Sequence, residues 1–185
     1  MTSTERTEAP LRVGEQETLL AWLNYHRDTL RQKSEGLTGD QLSATLPPST
    51  MTLGGLLKHM ALVEDYWFSV VLMGNEDAEP WQGVDFDADP DWEWRTAADD
   101  SPEELRRLFD DACAASDRIL ERVLAEGDQR ARKVMTNALM GGTLLALLIG
   151  VIALAGGPGL YGTWSSIFGS AEGGSRAAAS ISASP

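Results

Sequence analysis

TLGGLLKHMALVEDYWFSVVLMG, Thr52 to Gly74, is the stretch whose reading decides the fold. Leu53, Leu56, Leu57, Met60, Val63, Trp67 and Val70 recur at three- and four-residue intervals, which predicts a helix with one broad apolar face. The Thr52 hydroxyl can accept from the unpaired amides of the first turn, and Gly74 can end the helix in the left-handed region. Gly54-Gly55 suits close helix packing better than a phosphate cradle, because no strand precedes it. His59 is one of only two histidines in the chain. It falls one position off the centre of the apolar face, where an imidazole can point into a cleft between helices.

Upstream, residues 1–14 read as a solvated arm without the apolar run of a secretory signal. A first helix is expected from about Glu15 to Glu35, closed by Gly36, with Leu19, Trp22, Leu23, His26 and Leu30 on one stripe. His26 then lies beside the core, either as a half-buried hydrogen-bonded residue or, on a weaker reading, as a metal ligand. Leu37 to Leu46 is a short amphipathic turn, in which Thr38 and Gln41 have capping-box spacing. Pro47-Pro48 stops it.

Downstream, Glu76 to Asp100 holds ten acidic residues and three tryptophans, and no period survives there. It reads as an acidic connector whose Trp81, Trp92 and Trp94 cover the mouth of the bundle. Asp85, Asp87, Asp89 and Asp91 alternate as in a calcium loop. Pro90 and Thr96, however, stand where that loop needs a glycine for its turn and a bidentate glutamate. Ser101-Pro102-Glu103-Glu104 is a helix start with a capping box. Leu105, Leu108, Phe109, Ala112, Ile119 and Val123 carry the apolar stripe of a third helix ending at Gly127. Cys113, the single cysteine, excludes an internal disulfide framework. With no cation cluster nearby in sequence to lower its pKa, it reads as a small helix residue.

LLAWLNYHRDTL, GLTGDQL and LGGLLKHMALVEDYWF, in that order, resemble the DinB-like superfamily, and more narrowly a branch common in actinobacteria; the resemblance covers roughly Glu15 to Asp128. It implies an all-α, up-down four-helix bundle related to thiol transferases that use mycothiol or bacillithiol. It also implies a divalent metal, zinc or nickel, held by three histidines that make the bound thiol a better nucleophile. One of the three comes from the second helix and matches His59. The other two form a closely spaced pair on the fourth helix and have no match, since no histidine follows His59. One imidazole, or two with His26, is a poor zinc set. The expectation is therefore a family member with a degenerate metal site, weakly catalytic or not catalytic, with a low-molecular-weight thiol as its ligand class. Glu64 and Asp65 lie five and six residues beyond His59, off its helix face.

The composition changes after Asp128. Residues 1–128 hold 27 acidic and 11 basic side chains, against 1 and 4 in residues 129–185. The acidic part would repel nucleic acid. No charged residue occurs from Val134 to Ala171, and Ala138 to Ala155 would span about 27 Å as a helix, close to a bilayer's hydrocarbon core. Residues 129–157 therefore form an apolar helix in place of the expected amphipathic fourth one, with three readings. It is a membrane anchor that keeps the bundle cytoplasmic by its flanking Arg130, Arg132 and Lys133, with Gly142, Ala146 and Gly150 suited to a homodimer contact. Or residues 135–155 fold back as the fourth helix of a soluble bundle. Or the tail is foreign to the family, by fusion or a shifted reading frame. Residues 158–185 are a Gly/Ser/Ala-rich tail. No HExxH, CxxC or GxSxG pattern occurs.

Overall fold

A computed structural model describes residues 10, 12–45, 47–126 and 133–137 of the chain. Among these residues the structure is all-α, with no strand. α1 spans Glu15–Ser34, with Glu15 and Glu17 in its first turn and Arg31 and Lys33 in its last, as the helix dipole favours. Gly36, at φ 69°, turns the chain out of it. α2, Gly39–Leu42, is held by the expected Thr38/Gln41 capping box. α3 begins at Leu53, its first turn closed by Gly55 N–H donating to the Thr52 hydroxyl at 2.9 Å. It is α-helical over Leu53–Glu64 and continues as a π-helix over Asp65–Leu72. Gly74, at φ 74°, ends it. α5, Pro102–Ala125, starts at the Ser101/Glu104 capping box.

The connector between α3 and α5 departs from the expectation of an aperiodic loop. It contains α4, Trp92–Thr96, followed by a 3-10 turn, Ala97–Asp99. Five residues are too few to leave a helical period in the sequence, and tertiary contacts hold this turn where propensity alone would not.

α3 is the central element and touches α1, α2, α4 and α5. Its core stripe is Leu57, Ala61, Glu64, Phe68 and Leu72, all buried. The stripe read from the sequence lies about a quarter turn away, because apolar residues surround this helix. α1 and α5 cover one side and α4 covers the other, so periodicity alone could not single out the core side. A similar correction applies to α1, where Trp22 is 41% exposed and Leu23, Arg27, Leu30 and Ser34 are the buried positions.

Two apolar clusters result. Leu30, Leu42, Leu57, Ala61, Leu105, Phe109 and Cys113 belong to one, with Trp81 and Ala97 from the connector. Leu23, Phe68, Leu72, Leu120 and Val123 belong to the other. Between them in sequence order on each of the three long helices sits a polar position: Arg27 on α1, Glu64 on α3, Ser116 and Asp117 on α5. Residues 133–137 are helical, and Val134 and Met135 are buried in the second cluster. No helix among the described residues is long and apolar enough to cross a membrane. The candidate span 138–155 and the tail 158–185 lie outside the described residues.

Candidate functional site

His59 is the sequence-predicted site residue that the fold treats most specifically. It is 6% exposed, and it meets the connector rather than a cleft between the long helices. Its ring stacks on Trp94, with centroids 4.8 Å apart and planes at 26°. Its Nδ1 lies 2.7 Å from Oε1 of Glu93, a carboxylate that is 3% exposed. The neighbouring Lys58 is bound in parallel: its ammonium pairs with Asp100 and lies 4.9 Å above the Trp92 ring. Consecutive residues of α3 thus each take one acidic residue and one tryptophan from the connector. The expectation that tryptophans close over this end of the bundle holds for Trp94 on His59 and for Trp81, 3% exposed, beneath Trp92.

Close approach makes this possible. A Cβ on Gly55, one turn before His59, would stand 2.6 Å from the Trp94 ring. On the other side of the helix, a Cβ on Gly54 would meet Leu105 at 3.2 Å and the Leu42 carbonyl at 3.3 Å. The adjacent glycines therefore thin α3 toward both neighbours, the close packing that the sequence suggested.

The other candidate ligands are engaged elsewhere. His26 is half-buried on α1 beside the rings of Trp22 and Tyr25, and burial lowers its pKa. Its ring neighbours are thus on α1, whereas those of His59 come from the connector. Glu64 accepts two hydrogen bonds from Arg27, Nε–Oε1 and Nη2–Oε2, both 2.7 Å. Arg27 also donates to Asp117 at 2.7 Å and to Asn24 at 3.1 Å. Burial opposes the Arg27 charge, but the Glu64 hydrogen bonds and charge more than offset it and hold the guanidinium protonated. Asp65 is half-buried, and burial, with the charge of Asp77, raises its pKa. In the acidic row, Asp85 accepts from the amides of Asp87 and Ala88, and Asp89 pairs with Arg95. Cys113 is 1% exposed, and its thiol is pushed up to about 12 by burial and then by the Glu64 charge.

The described residues therefore do not fit a resident metal. His59 brings one imidazole, and no group of three His, Cys, Asp or Glu side chains that could hold an ion occurs among them. What the site does offer is a buried imidazole oriented by a carboxylate under an aromatic cover. Sequence reasoning missed Glu93 and Lys58. Glu93 is one of ten acidic residues in its segment, and only its place between two tryptophans on a short helix marks it.

A capped α3 carrying its histidine, packed on α1 and α5 with the intervening segment folded over it, belongs to the DinB-like class. Comparison narrows this: the family model for mycothiol-S-transferase matches residues 18–152, and the chain belongs to that family. No curated protein and no solved structure matches it. The family match extends past Asp128, where the motif resemblance stops, into the apolar run.

Proposed function

We propose that the chain is a thiol-binding member of its family with a degenerate metal site, acting with little or no metal-dependent catalysis. Its ligand class is a low-molecular-weight thiol of the mycothiol type, which the family match supports. The observation that carries the loss of metal chemistry is the surroundings of His59. The one matched family histidine is buried against Glu93 and Trp94, and the described residues bring no second imidazole to it. Mycothiol titrated calorimetrically into the purified full chain is expected to bind saturably, with at least tenfold weaker binding in His59→Ala. Zinc and nickel are expected well below one equivalent. Absence of thiol binding overturns the reading. A stoichiometric metal that is lost in His59→Ala overturns its degenerate-site part.

For the apolar run we favour residues 135–155 as a fourth bundle helix. Val134 and Met135 enter the core between α1, α3 and α5, and the family match continues to residue 152. The second reading, a cytoplasmic bundle anchored through 138–155 and paired as a homodimer, rests on the absence of charge in that run. Carbonate-washed membranes separate them. Retention of the full chain beside a soluble chain ending at Asp128 would establish the anchor; a soluble full chain that alone folds would establish the fourth helix.

A further inference from the structure

Glu93 is an anomaly on stability grounds alone. It is buried in a connector whose other carboxylates mostly face solvent. Only its Oε1 is hydrogen-bonded; Oε2 is buried with no partner among the described residues. Burying a carboxylate with half its acceptor capacity unused costs free energy that an apolar residue here would not cost. Yet the surroundings pin it. Lys58 pairs with Asp100 beyond one end of α4 and lies over Trp92 at the other. Trp94 fits against His59 only because Gly55 lacks a side chain. The Thr96 hydroxyl donates to the Trp92 carbonyl at 2.7 Å, and Ala97 is 4% exposed. The backbone on either side of Glu93 is thus fixed by contacts that do not involve Glu93.

A carboxylate 2.7 Å from one ring nitrogen of a buried histidine selects a tautomer. Oxygen of an ionised carboxylate only accepts, so Nδ1 carries the proton and Nε2 becomes the basic, lone-pair-bearing nitrogen. Carboxylate–histidine pairs behind metal and acid–base sites fix the tautomer and the ring orientation in the same way. Trp94 adds the second constraint by holding the plane of the ring.

We propose that Glu93 is the positioning residue of this site: it accepts the Nδ1–H hydrogen bond of His59 and so leaves Nε2 as the nitrogen that His59 can offer to a bound thiol. This rests on the thiol-binding reading above. The role belongs to the connector, so the segment that covers the histidine also sets its chemistry.

Because the chain has two histidines, a long-range proton–nitrogen correlation spectrum of the full chain labelled with [15N]histidine shows two imidazoles, and a His26→Gln variant assigns them. The spectrum is read without thiol, at a pH where both rings are neutral. The expected result is His59 with Nδ1 protonated and Nε2 bare. Glu93→Gln, whose amide oxygen can still accept, is expected to keep that form, and Glu93→Ala to lose it for the mixture of a free imidazole. A proton on Nε2 in the unaltered protein overturns the proposal without reference to any variant. So does a folded Glu93→Ala protein whose His59 tautomer is unchanged. A wrong tautomer leaves mycothiol binding intact, whereas a correct tautomer with no mycothiol binding rejects the functional reading and leaves the assignment of Glu93 standing.

Discussion

Arg27 on α1 and Glu64 on α3 are joined by two 2.7 Å hydrogen bonds at side chains each 3% exposed, between the two apolar clusters of the bundle. Such a pair fixes which turn of one helix meets which turn of the other, since any other pairing leaves a buried charge alone. Removing one partner, in Arg27→Met or Glu64→Leu, is expected to destabilise the protein by about 3–5 kcal/mol. The double variant should recover most of that loss. Urea denaturation of the four proteins checks this, and additive losses in the double variant would show that the residues do not act as a pair.

Gly55→Ala isolates the contact between α3 and α4. Alanine favours a helix by about 1 kcal/mol over glycine. Here its Cβ would press on the Trp94 ring at 2.6 Å, and the overpacking is expected to outweigh that gain, for a net loss of about 1–2 kcal/mol. The ring must also shift from His59, so tryptophan fluorescence and the His59 resonances should both change. A more stable variant with an unchanged spectrum would show that the contact is looser than its geometry.

Cys113 should be inert in the folded protein. With its thiol pushed up to about 12 and 1% exposed, it is expected to resist iodoacetamide at pH 8 and to react readily in denaturant. The folded pKa lies above the ordinary 9.0, so the unfolded chain loses this proton first as pH rises. The stability contributed is whole below pH 9 and is lost as pH climbs toward about 12. A Cys113→Ser variant, compared with the parent by denaturation across that range, isolates the slope.

Phe68, buried on α3 but off the stripe read from the sequence, and Trp22, on the expected stripe of α1, separate the core face observed from the one expected. Phe68 is 0% exposed, and Phe68→Ala should cost about 3–5 kcal/mol. Trp22, 41% exposed, should cost under about 1 kcal/mol on replacement by alanine. Thermal denaturation ranks the two, and the reverse order would restore the stripe read from the sequence.

Local signals were legible in the sequence wherever one side chain answers to its own backbone. Thr52, Thr38/Gln41 and Ser101/Glu104 cap the helices they were expected to cap, and Gly36 and Gly74 end helices at positive φ. The DinB-like relationship was legible in the same way, from motifs along the chain. Properties that depend on distant partners were not. Arg27 and Glu64 look like surface charges until the helices meet, since they are 37 residues apart. Glu93 was hidden among its acidic neighbours, and α4 was too short to leave a period. His59 was found by resemblance, but its partner had to come from the fold.

The π-helical stretch Asp65–Leu72 changes how α3 should be counted. Each wider turn carries an extra residue, so the helix alters its phase partway along. A face traced forward from Gly55 and His59 at 3.6 residues per turn drifts off its mark by Trp67 and Val70. α3 is in effect two rulers laid end to end with different spacing, one facing the connector at His59 and one facing the second apolar cluster at Phe68. Substitutions placed on either half should be numbered from their own half.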